Sequence, residues 1–222
     1  MVLAAGLTAC QKKAYAEGGN DQKAAAGKSG KQENDSKARA QDASPYLFMD
    51  GTTVVGFKDG LPANILIPTG VTAIGEKAFY ECKSLESVVI PASMTEIGEG
   101  AFYECDSLEI VEIPDGVTVI GRGAFSPCKS LKSVTIHEGV TAIGNDMRDY
   151  AEAAFSYCKS LESVEIPASV KIIGFCAFSY CNNLKEVKYA GTKAQWEAIK
   201  KGGKGNIGSN FIVTCTDGAI RL

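Results

Sequence analysis

Apolar and polar positions along this chain follow a repeat of 23 residues. The type unit, Leu85 to Glu104, reads LESVVIPASMTEIGEGAFYE, and the pattern starts again at Leu108. One leucine, one Ile-Gly pair, one Ala-Phe pair and one cysteine keep fixed offsets in each unit. The leucines are Leu85, Leu108, Leu131, Leu161 and Leu184, with separations of 23, 23, 30 and 23 residues. A fixed period in this range predicts a solenoid of stacked coils.

Each unit predicts a strand, a second extended piece and a turn. Val88 and Ile90 alternate with Val89, so they share one face of a short strand. The second extended piece reaches Gly98, where we expect a sharp change of direction at positive φ. Apolar spacings of three and four between Ala101 and Leu108 are compatible with a helical or 3₁₀ turn. The inward side chains predicted for the type unit are Leu85, Val88, Ile90, Met94, Ile97, Phe102 and Cys105.

The repeats occupy residues 65–189 and are flanked by segments without the period. Residues 46–64 contain a turn at Asp50-Gly51 and a β-branched strand from Thr52 to Phe57. This segment predicts a hairpin that covers the apolar end of the first coil. Residues 190–222 are predicted to form the corresponding C-terminal cap, so that residues 46–222 form one repeat domain.

The C-terminal cap is predicted in more detail. Thr192 and Gln195 have the spacing of a capping box for a helix from Lys193 to Lys200. Trp196 lies on the apolar face of this helix, and we expect it to cover the last coil. Residues 211–222 read as two strands around an Asp-Gly turn, which predicts a closing hairpin.

The first 45 residues differ in character from the repeats. Small residues before Cys10, in the text LTAC, resemble the lipobox of bacterial lipoproteins, which implies acylation of Cys10 and cleavage before it. No Lys or Arg precedes the apolar stretch, so we expect residues 1–10 to be a truncated signal segment. The alternative is a short apolar start with an incidental cysteine. Residues 11–45 are polar and predict a disordered tether.

Composition and motifs argue against several classes of function. The net charge of −3 disfavours a general nucleic-acid binder, which needs a basic face for phosphates. The sequence contains no run of 18 apolar residues, so it predicts no membrane-spanning helix. The HExxH, GxSxG, Walker and CxxC motifs are absent, and aspartates do not recur at one offset as repeated calcium sites require. We therefore expect no catalysis, no metal and no cofactor.

The recurring text L-x-x-V-x-I-P-x-x-V-T-x-I-G-x-x-A-F-x-x-C extends from Ile65 through Tyr189. It closely resembles the BspA-like class of bacterial leucine-rich repeats. The resemblance implies an α/β-type, right-handed solenoid of about five coils, with a parallel β-sheet on one face and a cap at each end. It also implies a non-enzymatic cell-surface protein that binds other macromolecules, often host extracellular matrix proteins.

Two surfaces are candidates for binding a protein partner. The first is the outward row of the strands, a mostly small and polar strip with exposed apolar residues at Val89 and Ile110. Its members are Ser87, Val89, Ile110, Glu112, Ser133, Thr135, Ser163, Glu165, Glu186 and Lys188. The second is a seven-residue insertion, Asn145 to Ala151, whose Met147, Arg148 and Tyr150 are residue types that contact partners well. The alternatives are a solvated sheet and a neutral loop.

Cysteine and histidine positions carry two further expectations. Five of the eight cysteines keep one repeat offset. Neighbouring coils put them within the Cα range of a disulfide, but parallel side chains keep their Cβ atoms apart. We expect buried free thiols at Cys82, Cys105, Cys128, Cys158 and Cys181. Cys176 is expected to be partly exposed. His137 replaces a repeated proline and predicts a solvated strand end, or alternatively a pH-sensitive contact.

Two classes of function follow from these features. One is a lipid-anchored adhesin, a monomer exported to the bacterial cell surface or outer membrane, which recognises matrix or other surface proteins. The other is a structural lipoprotein of the envelope without a host ligand. In both, the membrane is contacted through the lipid at Cys10 only.

Overall fold

The computed structural model describes residues 40–144, 153–202 and 211–221. The predicted signal segment with Cys10, residues 11–39 of the predicted tether and the insertion with Met147, Arg148 and Tyr150 lie outside these ranges. In chain order, the strands of the described residues are β1 (Gln41–Asp42), β2 (Leu47–Asp50), β3 (Thr53–Phe57), β4 (Asn64–Leu66), β5 (Ala73–Ile74), β6 (Ser87–Val89), β7 (Glu96–Ile97), β8 (Ile110–Ile113), β9 (Val119–Ile120), β10 (Ser133–Ile136), β11 (Ala142–Ile143), β12 (Ser163–Ile166), β13 (Ile172–Ile173), β14 (Glu186–Tyr189), β15 (Lys200–Lys201), β16 (Ile212–Cys215) and β17 (Gly218–Arg221). A 3₁₀ turn covers Ser44–Tyr46, and one α-helix, α1, covers Lys193–Ala198.

The strands form two sheets on two sides of a solenoid. A nine-stranded sheet has the order β1-β4-β6-β8-β10-β12-β14-β16-β17, and an eight-stranded sheet has the order β15-β13-β11-β9-β7-β5-β3-β2. Pairing between neighbouring coils is parallel, and the antiparallel pairs are the two cap hairpins, β2 with β3 and β16 with β17. The solenoid has about seven turns and little helix. The expectation of about five coils was low because strands of both caps continue the sheets.

The turns between the two sheets form no continuous helix, so the expectation for Ala101 to Leu108 is correct for 3₁₀-type turns and wrong for a helix. The amides of Gly100, Phe102 and Glu104 donate to the carbonyls of Arg122, Ala124 and Ser126 in the next coil, at 2.8, 2.7 and 3.0 Å. The intervening amides of Ala101, Tyr103 and Cys105 close turns within the coil, at 3.3, 3.0 and 3.3 Å. A continuous helix cannot form here because alternate N–H groups are committed to the neighbouring coil.

The core is a set of ladders that run along the solenoid. All seven inward residues predicted for the type unit are buried. Phenylalanine rings stack from coil to coil, with centroids 5.1 Å apart for Phe79–Phe102 and 5.3 Å for Phe125–Phe155. The second pair brackets the longer 30-residue unit, so the core continues in register across it. Each buried ring or aliphatic chain stabilises the fold by about 1.5–3 kcal/mol before entropy is subtracted.

The repeated glycine is required by close packing and, in most coils, not by positive φ. A Cβ on Gly98 would lie 2.8 Å from the backbone nitrogen of Glu76 and 2.8 Å from the carbonyl carbon of Gly75. Of the glycines in the Ile-Gly pairs, Gly144 is the one with positive φ, at 66°. The expected change of direction at positive φ is therefore wrong for Gly98, where the neighbouring backbone leaves no room for a side chain.

The cysteine ladder forms as predicted. Cys82, Cys105, Cys128, Cys158 and Cys181 are buried free thiols, and Cys176 is half-buried. The Sγ atoms of Cys105 and Cys128 donate to the carbonyls of Phe79 and Phe102 in the preceding coils, both at 3.2 Å. The thiol is thus both a small apolar filler and a hydrogen-bond donor between coils.

The N-terminal cap begins earlier than predicted. The hairpin of β2 and β3 confirms the cap structure expected for residues 46–64. However, β1 pairs in parallel with β4, and Ala43 is fully buried, so the fold includes residues assigned to the tether. The sequence pattern does not predict β1, because Gln41 and Asp42 are polar and show no apolar alternation.

The C-terminal cap matches its prediction closely. Both hydrogen bonds of the capping box are present: the Gln195 amide donates to Thr192 Oγ1, and the Thr192 amide donates to Gln195 Oε1. Trp196 is buried, with its ring edge-on to Tyr189 at 5.3 Å. The helix ends at Ala198, two residues before the predicted limit, because Lys200–Lys201 form β15 on the end of the eight-stranded sheet.

Candidate protein-binding surface

The outer side of the nine-stranded sheet, here called the front face, carries two rows of side chains. The strand register defines both rows. The first row is Asn64, Ser87, Ile110, Ser133, Ser163, Glu186 and Ile212, and the second is Leu66, Val89, Glu112, Thr135, Glu165, Lys188 and Thr214. Each of these side chains is half-buried or exposed. The structure therefore brings all ten candidates of the strand row onto one surface.

Sequence reasoning missed four members of these rows. Asn64 and Leu66 precede the first full unit, although Ile65 and Ile67 show the same alternation as Val88 and Ile90. Ile212 and Thr214 lie on β16, which continues the sheet after the period has ended. An alternation of apolar residues was the available signal in β4, whereas β16 could be placed only from its pairing.

In the C-terminal half of the front face, the charged side chains have partners on the face itself. Lys188 Nζ lies 3.1 Å from Glu165 Oε1, and Thr214 Oγ1 donates to Glu186 Oε1 at 2.6 Å. The hydrogen bond to Glu165 and its charge raise the pKa of Lys188. Exposed pairs of this kind contribute at most about 1 kcal/mol each to stability. Their main effect here is that the charged groups already have partners.

The N-terminal half of the front face is more apolar. Leu66 is 38% exposed, and its register partner Val89 is half-buried. Ile110 lies on the next strand, beside Ser87 and diagonal to Val89. Diagonal neighbours on a sheet are about 7–8 Å apart, within reach of one ligand side chain. These three residues, Leu66, Val89 and Ile110, are called the apolar patch below.

Carboxylates border the apolar patch. Asp42 is the register partner of Leu66, and hydrogen bonds from the backbone N–H and hydroxyl of Ser44 lower the pKa of Asp42. On the other side, continuing the register of Ser87 with Ile110 puts Glu112 beside Val89. Two further carboxylates, Glu86 and Glu109, immediately precede β6 and β8. Four carboxylates therefore border the patch.

Two of these carboxylates have basic neighbours. Glu109 Oε2 lies 3.0 Å from Lys132 Nζ, and Glu112 Oε1 lies 3.0 Å from His137 Nε2. His137 also approaches Asp115, with 3.8 Å between Nδ1 and Oδ1. His137 directly follows β10 and its side chain is 41% exposed, as expected of a solvated strand end, and the ring also has acidic neighbours. Among the described residues, no basic side chain forms an ion pair with Asp42 or Glu86.

The outer side of the eight-stranded sheet, here called the rear face, uses its hydroxyls to join the coils. Thr95 Oγ1 donates to the Thr72 carbonyl at 2.9 Å, and Thr141 Oγ1 donates to the Thr118 carbonyl at 3.1 Å. These hydroxyls are already occupied by hydrogen bonds between neighbouring coils. Outward positions on this face also include Val119 and Ile172, both half-buried. They match Val89 and Ile110 in residue type, and all four side chains are half-buried.

A pair of tyrosines marks the turn side of the last coils. The rings of Tyr157 and Tyr180 stack with centroids 4.4 Å apart, and the side chains are 42% and 61% exposed. Both residues have a φ of 60°, an uncommon conformation for a bulky side chain. Sequence reasoning missed this pair, although the text AFSYC occurs at both positions.

Within 40–144, 153–202 and 211–221, no group of three or more His, Cys, Asp and Glu side chains could hold a metal ion. The helices in these ranges include none with the length and apolar character needed to cross a membrane.

Comparison with known proteins agrees with the geometry. The model of the BspA type leucine-rich repeat region matches residues 57–150 and 148–198, in six copies. A leucine-rich cell surface protein from Faecalibacterium prausnitzii is 36% identical, with a TM-score of 0.61, and covers 67% of this chain. The T. pallidum leucine-rich repeat protein is 31% identical, with a TM-score of 0.57, and covers 68% of this chain and 71% of its own.

Further neighbours show the fold alone. The pneumococcal vaccine antigen PcpA is 16% identical with a TM-score of 0.57, over 73% of this chain and 45% of its own. The match spans only 38% of the Faecalibacterium protein. No curated protein is significantly similar in sequence. With six matched repeats and two solved relatives above 30% identity, the chain belongs to the BspA-type leucine-rich repeat family.

Proposed function

We propose that this chain is a non-enzymatic, surface-anchored adhesin that recognises extracellular matrix or other cell-surface proteins. The observation that carries the proposal is the apolar patch of Leu66, Val89 and Ile110 on the front face. Exposed or half-buried aliphatic side chains on a sheet bury area in a complex without the entropy cost of ordering a loop. The insertion at 145–151 is a second contact in this proposal.

A protein partner suits this face better than the other common classes of ligand. Nucleic acid needs clustered Lys and Arg, whereas the patch is bordered by Asp42, Glu86 and Glu112. The front face is an open sheet, and its broad surface fits another macromolecule. In this proposal the chain has no catalytic residues, and binding is its whole activity.

Anchoring at Cys10 completes the proposal. A lipid on Cys10 and a tether ending near residue 40 would present the solenoid away from the membrane. The description of the Faecalibacterium relative as a cell surface protein supports this location. Metabolic labelling with palmitate in a bacterial host, on the chain preceded by a complete lipoprotein signal, tests the anchor. Label that is lost in Cys10→Ala is expected, and absence of label contradicts anchoring.

Binding of the full chain to a panel of matrix proteins and to envelope extracts tests the adhesin role. Fibronectin, laminin, collagen and fibrinogen are immobilised separately, and saturation is measured against increasing protein concentration. We expect saturable binding to at least one matrix protein. Binding that is restricted to the envelope extract would instead favour the structural envelope lipoprotein.

A second arm locates the contact. We expect Ile110→Asp combined with deletion of residues 145–151 to abolish matrix binding, and the two single changes to divide the loss between face and insertion. The deletion also restores the 23-residue spacing, so the variant is expected to stay folded by circular dichroism. Unchanged matrix binding in the folded combined variant would contradict a role for both surfaces.

A further inference from the structure

We infer that the apolar patch of the front face takes an extended protein segment in which aliphatic residues are flanked by Lys or Arg. This inference rests on the proposed function and adds the chemistry of the partner. The second row of the face has the order Asp42, Leu66, Val89, Glu112 on four successive strands. Along the solenoid axis, the four side chains of this row are therefore acidic, apolar, apolar and acidic in turn.

The dimensions of the row set the spacing of the ligand. Neighbouring strands are about 4.8 Å apart, so three steps from Asp42 to Glu112 span about 14 Å. An extended segment rises about 3.4 Å per residue, and 14 Å corresponds to about four residues. Two basic side chains about four positions apart would reach the two carboxylates, of which Glu112 also has His137 Nε2 beside it at 3.0 Å. An aliphatic side chain between them would lie over Leu66 and Val89.

The first row and the border add to this selectivity. Ile110 widens the patch on the C-terminal side, so a second aliphatic side chain has a surface to pack against. Glu86 precedes β6 on the edge of the patch and forms no ion pair within the described residues. The Lys or Arg side chains of a basic ligand could pair with two carboxylates, Asp42 and Glu86, that form no ion pair among these residues. An acidic ligand would meet like charges there.

The other half of the face lacks this preference. Lys188 with Glu165 and Lys185 with Glu162 form ion pairs at 3.1 Å each, so their charges largely cancel. A charged ligand would have to break these pairs, and little is gained by exchanging one exposed pair for another. The charge complementarity therefore places the basic segment at the N-terminal half.

Selection from a random peptide library tests the inference without knowledge of the natural partner. The full chain is immobilised and selected against phage that display ten-residue peptides. The same selection is run on V89D/I110D, on the matched rear-face variant V119D/I172D and on D42K/E86K. Circular dichroism and thermal midpoints confirm that each protein is folded. The exposed charge reversals keep the test valid if an aspartate substitution unfolds the chain.

We expect wild type and V119D/I172D to enrich the same peptides, with aliphatic residues between Lys or Arg. V89D/I110D should lose this enrichment, and D42K/E86K should shift it toward Asp and Glu. Affinity of the synthetic winning peptide should fall at least tenfold between 50 and 500 mM salt, because the contact includes exposed charge pairs.

Two results would overturn the inference. Enriched peptides that depend on Val89 and Ile110 but carry no basic residues refute the chemistry while leaving a binding face in place. Enrichment that is absent, or is equal in V89D/I110D and wild type, refutes recognition at the patch. Matrix binding in the panel described above is measured separately, so its failure is distinguishable from both results.

Discussion

At the scale of the residue, two positions of the repeat are set by the backbone of the preceding coil. The glycine of the Ile-Gly pair has no room for a Cβ, as at Gly98. The cysteine donates its S–H to a phenylalanine carbonyl, as at Cys128. The period identified both positions, but the reasons for them depend on contacts between coils that one unit of sequence does not contain.

Gly98→Ala is predicted to destabilise the fold severely. The new Cβ would lie 2.8 Å from backbone atoms of the preceding coil, which cannot move without breaking inter-coil hydrogen bonds. We expect a loss of about 3 kcal/mol or more in the free energy of unfolding, measured with urea. Gly51→Ala is the control, since no atom lies within 4 Å of its Cβ and only the positive φ is costly. Equal losses in the two variants would contradict the packing argument.

The thiol of Cys128 is predicted to make stability depend on alkaline pH. Burial raises the pKa of Cys128 well above its usual range. Above a pH of about 8.5 the unfolded thiol loses its proton while the folded thiol keeps it, so stability falls as pH rises. Between pH 7 and pH 10, wild type should therefore lose about 2 kcal/mol more than Cys128→Ala. Urea unfolding under reducing conditions measures this, and equal losses would show that the native site admits the thiolate.

At the scale of the element, capped ends were easier to predict than the turns. Thr192 and Gln195 carry a local hydrogen-bond pattern, so helix α1 could be predicted from four residues of sequence. Between Ala101 and Leu108, a spacing of three and four fits a helix and the observed turns equally well. The difference lies in amides that donate to the next coil, which local sequence does not reveal.

Thr192→Ala is predicted to weaken the C-terminal cap. The variant removes the acceptor of the Gln195 amide, a loss of about 1 kcal/mol for a typical N-cap. Hydrogen exchange of the Gln195 amide and the thermal midpoint are the measurements. Thr69→Ala is the control because Thr69 is exposed and its side chain forms no hydrogen bond within the described residues. Unchanged exchange at Gln195 would show that the cap is held by Trp196 packing alone.

At the scale of the whole molecule, the front face divides into an apolar, acid-bordered half and an ion-paired half. The period alone placed Ser87, Val89 and Ile110 on one surface, because equal offsets in successive coils become neighbours. Ile65 and Ile67 alternate as Val88 and Ile90 do, so the alternation also places Leu66 on this surface. It does not place Asp42, which precedes the repeats and joins the face only through β1. The division of the face therefore became visible from the pairing of cap strands.

The binding face itself is most directly tested by comparing two matched variants of the full chain. Ile110→Asp and Ile172→Asp place the same charge at half-buried outward positions on the front and rear faces. Surface plasmon resonance against the matrix protein bound by wild type measures both affinities. We predict that Ile110→Asp weakens binding by about 30-fold, or about 2 kcal/mol, and that Ile172→Asp stays within about twofold. Equal affinities for the two variants, or a larger loss in Ile172→Asp, would contradict recognition through the front face.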